Sequence, residues 1–380
     1  MKVVLFVSGF PSHKEPARSV FNLVHAKALK EIGLEVVVVY IRTLRPKRPI
    51  LKHHLFEGIQ VLDVACVIPY GFGWMSGHFF DFIKGKIIDT LDIDGKCVVH
   101  CVGGGNLHYA YRLANRYHLP LITQFIGSDI NKFLTKYLKQ KDFVDGIKFS
   151  GNLIFNSGAL RHRFLSKFPV NQPVQVIYRG ADLSAFHFNF NQIHDEILLL
   201  FLGGFPTNDR NLKGGLDLLD CIQLIDRKSI VKKLRFLIGG PNSTEYKSFA
   251  TANEKIAVEF IGPVTRDEVR QRYFDSHVVL IPSTQEGLPN VLFESMATGN
   301  MVIASMVGGI PEVLDQESGA LVEPNSPASL ARVIEEIQNQ PQVVFEKAIK
   351  AREKVLGFDK VRAIEGYLEI YSNLYSKKWK

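Results

Sequence analysis

Two glutamates lie close together in a segment that joins a predicted strand to a predicted helix. In PSTQEGLPNVLFESMATGN (282–300), Glu286 and Glu294 are eight positions apart, and a glycine, a proline and an asparagine follow the first of them. The run VVLIPS predicts a buried strand, and VLFESMATG predicts a helix that ends at Gly299. Carboxylates at such a loop can accept hydrogen bonds from the hydroxyl groups of a bound sugar.

The start of this helix suits an anion. Backbone N–H groups in the stretch from Asn290 to Leu292 lack partners within a helix, and the helix dipole adds about half a positive charge there. A phosphate fits at this point, Glu294 one turn further on suits a ribose diol, and Glu286 suits hydroxyls of the same ligand. Taken alone, a solvated Glu286 and a Glu294 that only favours the helix are an equally good interpretation.

Two further loops follow predicted strands in the same half of the chain. FLGGFPTNDRNLKGG (201–215) places Arg210 and Lys213 beside glycines, and VGGIPEV (307–313) adds another glycine-rich turn. Two cations suit a diphosphate, because an arginine can bind two oxygens at once. Since the carboxyl ends of parallel strands meet at one edge of a sheet, we expect the three loops to converge there.

The elements that position these loops follow a repeating pattern. Short β-branched apolar runs alternate with longer amphipathic segments, which is typical of parallel sheets covered by helices. We predict two doubly wound α/β domains in tandem, joined near residues 181–194. The expected strands are 2–7, 35–40, 97–102, 120–126, 152–157 and 174–179, then 196–204, 234–240, 257–262, 278–283, 301–306 and 319–324.

Length, charge and cysteines limit the class of protein. The 380 residues are enough for two domains, and the net charge of +8 divides into +12 for residues 1–180 and −4 for residues 181–380. A basic half favours an anionic lipid or a phosphorylated substrate; without a zinc-finger or aromatic RNA-binding pattern, nucleic acid is not expected. The four cysteines form no CxxC pair, and no apolar run is long enough for a signal peptide or a spanning helix. We therefore expect reduced thiols and a cytoplasmic protein.

The second half closely resembles a known family. Residues 258–336 resemble the C-terminal domain of family 4 retaining glycosyltransferases (glycosyl transferases group 1), which have the GT-B fold. The resemblance is carried by the segments EGLPNVLFE, SMATGNMVIASMVGGIPEVL and GALVEPNSPASLA. A looser resemblance covers SGFPSHKEPARSVFNLVHAKAL, GSDI, NSGALRHRF and IYRGADLSAF in the first half.

The resemblance implies two Rossmann-like domains facing across a cleft: an acceptor-binding domain at 1–185, a nucleotide-sugar-binding domain at 186–360, and a final helix at 361–380 that packs back on the first. It implies that Glu294 holds the donor ribose, that Glu286 is catalytic and holds the transferred sugar, and that Arg210 and Lys213 neutralise the leaving diphosphate. Further donor contacts would come from Gly204, Gly240, Val264, Gly287, Leu288, Pro289, Asn290 and Val291, and acceptor contacts from Arg18, Ser19, Gly127 and Asp129. The resemblance also implies no cofactor and no metal.

Three positions depart from the family pattern. Ile126 stands where a histidine precedes GSD, Phe205 stands where an arginine follows the glycine pair, and Arg179 stands where asparagine is common. Competing motifs are weaker, because Asp92-x-Asp94 precedes a strand instead of following one, and GGGNLH lacks the last glycine of a dinucleotide fingerprint.

We therefore predict a retaining, metal-independent glycosyltransferase of polysaccharide or glycolipid biosynthesis. It would move a sugar from a UDP- or GDP-sugar to a glycan, lipid-linked or small-molecule acceptor. The alternatives are a nucleotide-sugar epimerase of the same fold and a catalytically silent sugar-nucleotide binding protein. The aromatic and basic segment at 69–91 suits an anionic membrane at the inner face, but core packing or an acceptor loop is the preferred explanation of it.

Overall fold

The structure, a computed structural model, describes residues 1–12, 19–44, 50–67, 87, 89–90, 97–206 and 211–379. The chain forms two units: residues Met1–Ile177 and Ile364–Lys380 form the first, and Tyr178–Ala363 form the second. The predicted motifs around Arg18, Phe72, Asp92 and Arg210 lie outside the described residues.

A mostly parallel sheet runs through the first unit. Its strand order is β3-β4-β2-β1-β5-β6-β7-β8, and among the described strands β3 and β4 alone pair antiparallel. The central strands are fully buried because helices cover both faces, which explains their unbroken apolar runs. The strands are β1 Lys2–Val7, β2 Glu35–Leu44, β3 Ile50–Phe56, β4 Ile59–Val67, β5 Cys97–Val102, β6 Leu121–Phe125, β7 Asn152–Phe155 and β8 Val174–Val176.

The hairpin of β3 and β4 was not predicted from the sequence. Its two-residue turn consists of Glu57 and Gly58, which have φ angles of 46° and 80°. Positive φ at both central residues gives the tight turn that matches the twist of an antiparallel pair. Glutamate is uncommon at the first turn position, so the sequence signal for this hairpin is weak.

Six helices belong to the described part of the first half. Four of these helices follow strands of the sheet: α2 follows β5, α3 and α4 follow β6, and α6 follows β7. Each chain segment leaves its strand at the carboxyl edge of the sheet, so these helices begin near that edge. The bounds are α1 Val20–Glu31, α2 Leu107–Arg116, α3 Ser128–Asn131, α4 Leu134–Tyr137, α5 Lys141–Phe149 and α6 Gly158–Leu165.

The second unit contains a parallel sheet with the strand order β11-β10-β9-β12-β13-β14. The strands are β9 Glu196–Phe201, β10 Lys233–Gly239, β11 Ile256–Gly262, β12 Val278–Ile281, β13 Met301–Ser305 and β14 Gly319–Val322. The helices are α7 Gly215–Asp226, α8 Arg266–Asp275, α9 Asn290–Thr298, α10 Ile310–Val313, α11 Pro327–Asn339, α12 Gln342–Val355 and α13 Lys360–Trp379, of which α13 runs into the first unit.

The strand order of the second unit reverses between β9 and β12. The chain builds β9, β10 and β11 outward on one side, then returns to place β12 against β9 and continues to β14 on the other side. Loops at the carboxyl ends of β9 and β12 therefore leave in opposite directions and open a crevice between them. Ligands of doubly wound sheets bind at this point.

The last helix completes the core of the first unit. Tyr367 and Tyr371 on α13 are buried, and the Tyr371 hydroxyl lies 2.7 Å from Nδ1 of His100 on β5. Gln124 Nε2 on β6 donates to the Tyr367 hydroxyl at 2.7 Å. These two tyrosines of the last helix thus pack in the interior of the first unit.

Candidate functional site

Glu286 lies in the loop after β12 and pairs with a lysine from the loop after β9. Lys213 Nζ and Ser283 Oγ both donate to Glu286 Oε1, at 2.6 and 2.8 Å. The Glu286 side chain is 10% exposed and that of Lys213 is 48% exposed. The two loops belong to the strands that flank the reversal of strand order, so this ion pair lies at the crevice of the second unit.

Backbone hydrogen bonds fix the two loops to each other. The N–H of Thr284 donates to the carbonyl of Leu212 at 3.0 Å, and the hydroxyl of Thr284 donates to the carbonyl of Asn211 at 3.3 Å. Gly214 has a φ of 75°, and a Cβ on it would lie 1.9 Å from the carbonyl oxygen of Pro282. The approach that brings Lys213 to Glu286 therefore requires glycine next to the lysine.

Gly214→Ala is expected to lower the free energy of unfolding by about 3 kcal/mol, because the methyl group collides with the Pro282 carbonyl and also strains the backbone. Gly262→Ala is the matched control: its φ is 76°, but the nearest atom to its Cβ is a Thr244 methyl at 3.2 Å. The control carries the backbone strain, about 1–2 kcal/mol, without the collision with a carbonyl. Urea denaturation followed by circular dichroism measures both, and equal losses would contradict the packing argument.

The helix after the Glu286 loop begins without a side-chain cap. Pro289 is the N-cap residue of α9, no side chain caps the helix, and the first turn contains no acidic residue. Gly299 ends the helix at a φ of 93°, as the sequence predicts. The first N–H groups of α9, those of Asn290 and Val291, are therefore available to an anion.

Glu294 lies on the same helix, half-buried. The hydroxyl of Tyr273 donates to Glu294 Oε2 at 3.1 Å, and Oε1 has no hydrogen-bond partner among the described residues. Burial raises the pKa of the Glu294 carboxyl, while the Tyr273 hydrogen bond and the charge of Arg266 act in the opposite direction. One oxygen of Glu294 is thus held in place and the other can accept a ligand hydroxyl.

Tyr273 and Ser283 were not predicted as site residues. Tyr273 lies on α8, is fully buried, and its carbonyl accepts a hydrogen bond from Asn300 Nδ2 at 2.8 Å. Ser283 is the second residue after the end of β12, and this position at a strand end is the signal that could have identified it. No local sequence pattern distinguishes Tyr273 from a core tyrosine.

The loop VGGIPEV (307–313), which the sequence also predicted, packs against the backbone of the Glu286 loop. The N–H of Gly309 donates to the carbonyl of Gly287 at 2.7 Å, and a Cβ on Gly308 would lie 2.3 Å from the carbonyl oxygen of Glu286. Leu288 is 9% exposed and packs in the core of the unit. The glycines of VGGIPEV therefore act here through close backbone packing.

The glycines at the ends of β9 and β10 also pack against each other. The N–H of Gly204 donates to the carbonyl of Gly239 at 3.1 Å, and a Cβ on Gly240 would lie 2.6 Å from the Gly204 nitrogen. Phe205, the departure from the family arginine, is buried and stacks on Tyr246 with a centroid distance of 4.1 Å. Val264 lies half-buried between β11 and α8.

In the first unit, Asp129 is a buried structural carboxylate. It accepts hydrogen bonds from the backbone N–H groups of Gly104, Ile126, Gly127 and Ile130, at 2.8 to 3.2 Å. Burial raises the pKa of this carboxyl, and the four donors act against that shift. Asp129 thus joins the loops after β5 and β6.

The other residues singled out in the first unit are characterised by their backbone conformation, packing and burial. Ser19 caps no N–H of α1 with its side chain and has a φ of 47°. The Ile126 side chain lies 3.6 Å from the position of a Cβ on Gly103. His100, Cys97 and Cys101 are buried on β5, and the described residues contain no cluster of His, Cys, Asp and Glu that could hold a metal.

Solved structures of GT-B glycosyltransferases share the fold of this chain. A sucrose-phosphate synthase from Thermosynechococcus elongatus covers 99% of each chain with a TM-score of 0.75 at 17% identity. The superposition on HepE of Anabaena, solved in complex with UDP and glucose, covers 98% of this chain and 100% of the HepE chain. Its TM-score is 0.74 and the sequence identity is 16%. The chain has the GT-B fold.

Sequence comparisons point to the corresponding class of enzymes. Residues 196–340 match the family model of glycosyl transferases group 1. An uncharacterised glycosyltransferase of Methanocaldococcus jannaschii is 27% identical over 283 residues, which cover 70% of this chain and 74% of that protein. A putative teichuronic acid biosynthesis glycosyltransferase of Bacillus subtilis is 24% identical over 373 residues, which cover 90% of each. These matches support a GT-B glycosyltransferase, and the assignment to family 4 stays a prediction.

No described helix combines the length and the apolar character needed to cross a membrane.

Proposed function

We propose that this protein is a retaining, metal-independent glycosyltransferase that uses a UDP- or GDP-sugar. The observation that carries the proposal is the contact of Lys213 with Glu286 at the crevice of the second unit, next to the uncapped start of α9 and to Glu294. A cation, an anion-binding helix start and two carboxylates are the groups that a sugar linked to a diphosphate requires.

Each group has a role in this proposal. Glu294 Oε1 accepts from the ribose, the N–H groups at the start of α9 bind the diphosphate, and Glu286 binds hydroxyls of the transferred sugar. Lys213 stabilises the charge that develops on the leaving diphosphate, together with Arg210. Gly204, Gly240 and Val264 border the nucleobase, and Gly287 to Val291 line the sugar and phosphates.

Retention of configuration needs no protein nucleophile in this proposal. The bond from the anomeric carbon to the diphosphate breaks as the acceptor oxygen attacks from the same face. The proton of that acceptor hydroxyl passes to the departing phosphate oxygen. Lys213 and the helix dipole provide the positive charge that a metal ion would otherwise supply.

The acceptor side rests on the first unit. Ser19 lies between β1 and α1, and Gly127 directly follows β6, so both come after the carboxyl ends of strands. Arg18 precedes Ser19 in the sequence, and the buried Asp129 holds the loop that contains Gly127. A glycan, a lipid-linked or a small-molecule acceptor, used in polysaccharide or glycolipid biosynthesis, is the expected partner. The proposal includes contact with an anionic membrane, and its support is the net positive charge of the first half of the chain.

A screen of nucleotide sugars by thermal denaturation tests the proposal. A UDP- or GDP-sugar is expected to raise the melting temperature, because a ligand that binds the folded state stabilises it in proportion to occupancy. Product analysis follows with the donor identified. Acceptor-dependent release of the nucleoside diphosphate supports a transferase, isomerisation of the donor alone indicates an epimerase, and stabilisation without turnover indicates a silent binding protein.

A further inference from the structure

Tyr178, the first residue of the second unit, reaches the loop that packs against the Glu286 loop. Its hydroxyl donates to Glu312 Oε2 at 2.8 Å, between residues 134 positions apart in the chain. Glu312 lies on α10 within the loop VGGIPEV (307–313), and its N–H donates to the carbonyl of Gly309 at 3.0 Å. Both side chains of the pair are half-buried. The contact therefore ties the segment that enters from the first unit to this loop.

The backbone of VGGIPEV packs directly against the backbone of the Glu286 loop. The N–H of Gly309 donates to the carbonyl of Gly287 at 2.7 Å. A Cβ on Gly308 would lie 2.3 Å from the carbonyl oxygen of Glu286, so the two backbones have no room to move towards each other. The Glu286 loop can therefore keep its place only if VGGIPEV keeps its own.

The ring of Tyr178 is held by aromatic contacts that lead to α9. The ring centroids of Tyr178 and Phe358 are 5.3 Å apart, with an interplanar angle of 88°. Those of Phe358 and Phe293 are 5.5 Å apart, and Phe293 is buried on α9, the helix that contains Glu294. Edge-to-face contacts of this kind fix the orientation of a ring. The hydroxyl is thus directed at Glu312 by a ring that is already in place.

The backbone next to Tyr178 is also fixed. The N–H of Ala181 donates to the carbonyl of Phe358 at 2.9 Å, and the N–H of Lys360 donates to the carbonyl of Ala181 at 2.9 Å. Gly180 has a φ of 68°, and a Cβ on it would lie 2.1 Å from the carbonyl oxygen of Phe358. This close approach requires glycine. Tyr178 therefore extends from a backbone that is ordered on its C-terminal side.

We propose that Tyr178 is a positioning residue for the donor site formed by Glu286, Glu294 and the start of α9. Its hydrogen bond to Glu312 fixes the loop VGGIPEV, and that loop fixes the position of Glu286. This inference rests on the proposed glycosyltransferase function and adds to it a residue that touches no substrate. A displacement of about 1 Å at Glu286 lowers turnover more than donor affinity, because the stabilisation of a developing charge depends steeply on geometry.

Tyr178→Phe tests the proposal, because it removes the hydroxyl and keeps the ring beside Phe358. Turnover with the donor that the screen identifies is expected to fall about tenfold, while the dissociation constant of the donor stays within about twofold. Amide hydrogen exchange of a peptide that contains Gly309, measured by mass spectrometry, is expected to become about tenfold faster as its bond to Gly287 loosens. Unchanged turnover, or unchanged exchange at Gly309, would overturn the proposal.

Variants of Glu312 show whether the effect passes through this contact. Glu312→Ala is expected to lower turnover at least as much as Tyr178→Phe, and the double variant should show no further loss. Glu312→Gln keeps an oxygen that accepts from the Tyr178 hydroxyl, so it is expected to retain about half of the turnover or more. Losses that multiply in the double variant would contradict a shared path through Glu312.

Tyr371→Phe is the matched control for a loss of structure alone. It is the same substitution at a buried tyrosine of the first unit, whose hydroxyl lies 2.7 Å from Nδ1 of His100. It is expected to lower the melting temperature at least as much as Tyr178→Phe, since its hydroxyl is lost from a fully buried position, and to leave turnover and the exchange at Gly309 unchanged. Equal losses of turnover in both variants would show that turnover follows stability, which would refute the positioning role.

The unmodified protein separates this inference from the proposed function. If it turns the donor over and Tyr178→Phe does so at the same rate, the positioning role alone is refuted. If it turns over none of the nucleotide sugars that stabilise it, the proposed function is refuted and the positioning role with it.

Discussion

Glu286→Gln is expected to lower turnover about a hundredfold with the donor that the screen identifies. Glutamine keeps the shape of the side chain and its contact with Ser283, but it removes the negative charge that holds Lys213 at 2.6 Å. The lysine would then lose its fixed position beside the leaving diphosphate. Release of the nucleoside diphosphate, followed in a coupled assay, measures the change.

The matched control is Glu346→Gln, on the exposed face of α12 in the same unit. It removes the same charge and should leave turnover unchanged. Donor affinity separates the role of Glu286 from a general loss of structure, because the proposed role predicts a larger effect on kcat than on the dissociation constant of the donor. Unchanged turnover in Glu286→Gln would remove this residue from the catalytic set.

Glu294→Ala is expected to weaken donor binding by about tenfold to a hundredfold, since it removes the acceptor for the ribose hydroxyls. Tyr273→Phe should have a smaller effect in the same direction, because it keeps the carboxylate and removes the hydrogen bond that orients it. The shift in melting temperature at fixed donor concentration compares the variants. Equal shifts in the unmodified protein and in Glu294→Ala would exclude the ribose role.

The pH dependence of donor binding gives a second readout for Glu294. Burial raises the pKa of this carboxyl, so its ionised form is lost at a higher pH than that of an exposed glutamate. The carboxylate is the form that accepts two ribose hydrogen bonds, and the affinity of the unmodified protein should therefore fall as the pH decreases through that raised pKa. The Glu294→Ala variant should lack this decrease, and a parallel decrease in both proteins would assign the titration to another group.

Buried parallel strands could be predicted from the sequence because their environment imposes a simple composition. β1 and β5 are covered on both faces, so runs such as KVVLFV and CVVHCV identified them with the observed bounds. The hairpin of β3 and β4 lies at the edge of the sheet and contains KHH and other polar residues. Its turn depends on a glutamate with positive φ, which no turn rule favours.

The site residues were predicted one by one, but their contacts were not. Lys213 was assigned to the diphosphate and Glu286 to the sugar, and the structure joins them across 73 positions of the chain. That contact depends on which strands are neighbours, and apolar periodicity does not specify strand order. Tyr273 was missed for the same reason, because it reaches Glu294 through the packing of α8 against α9.

The path of α13 has a consequence for how the protein is made. The first unit includes residues from Ile364 onward, so its core lacks Tyr367 and Tyr371 until the whole second unit has been translated. Until then, His100 and Gln124 are without their tyrosine partners. On the ribosome, the part of the chain that emerges first is thus the part that can finish folding last, and a nascent chain truncated before Ile364 would carry an incomplete first unit even where its second unit is whole.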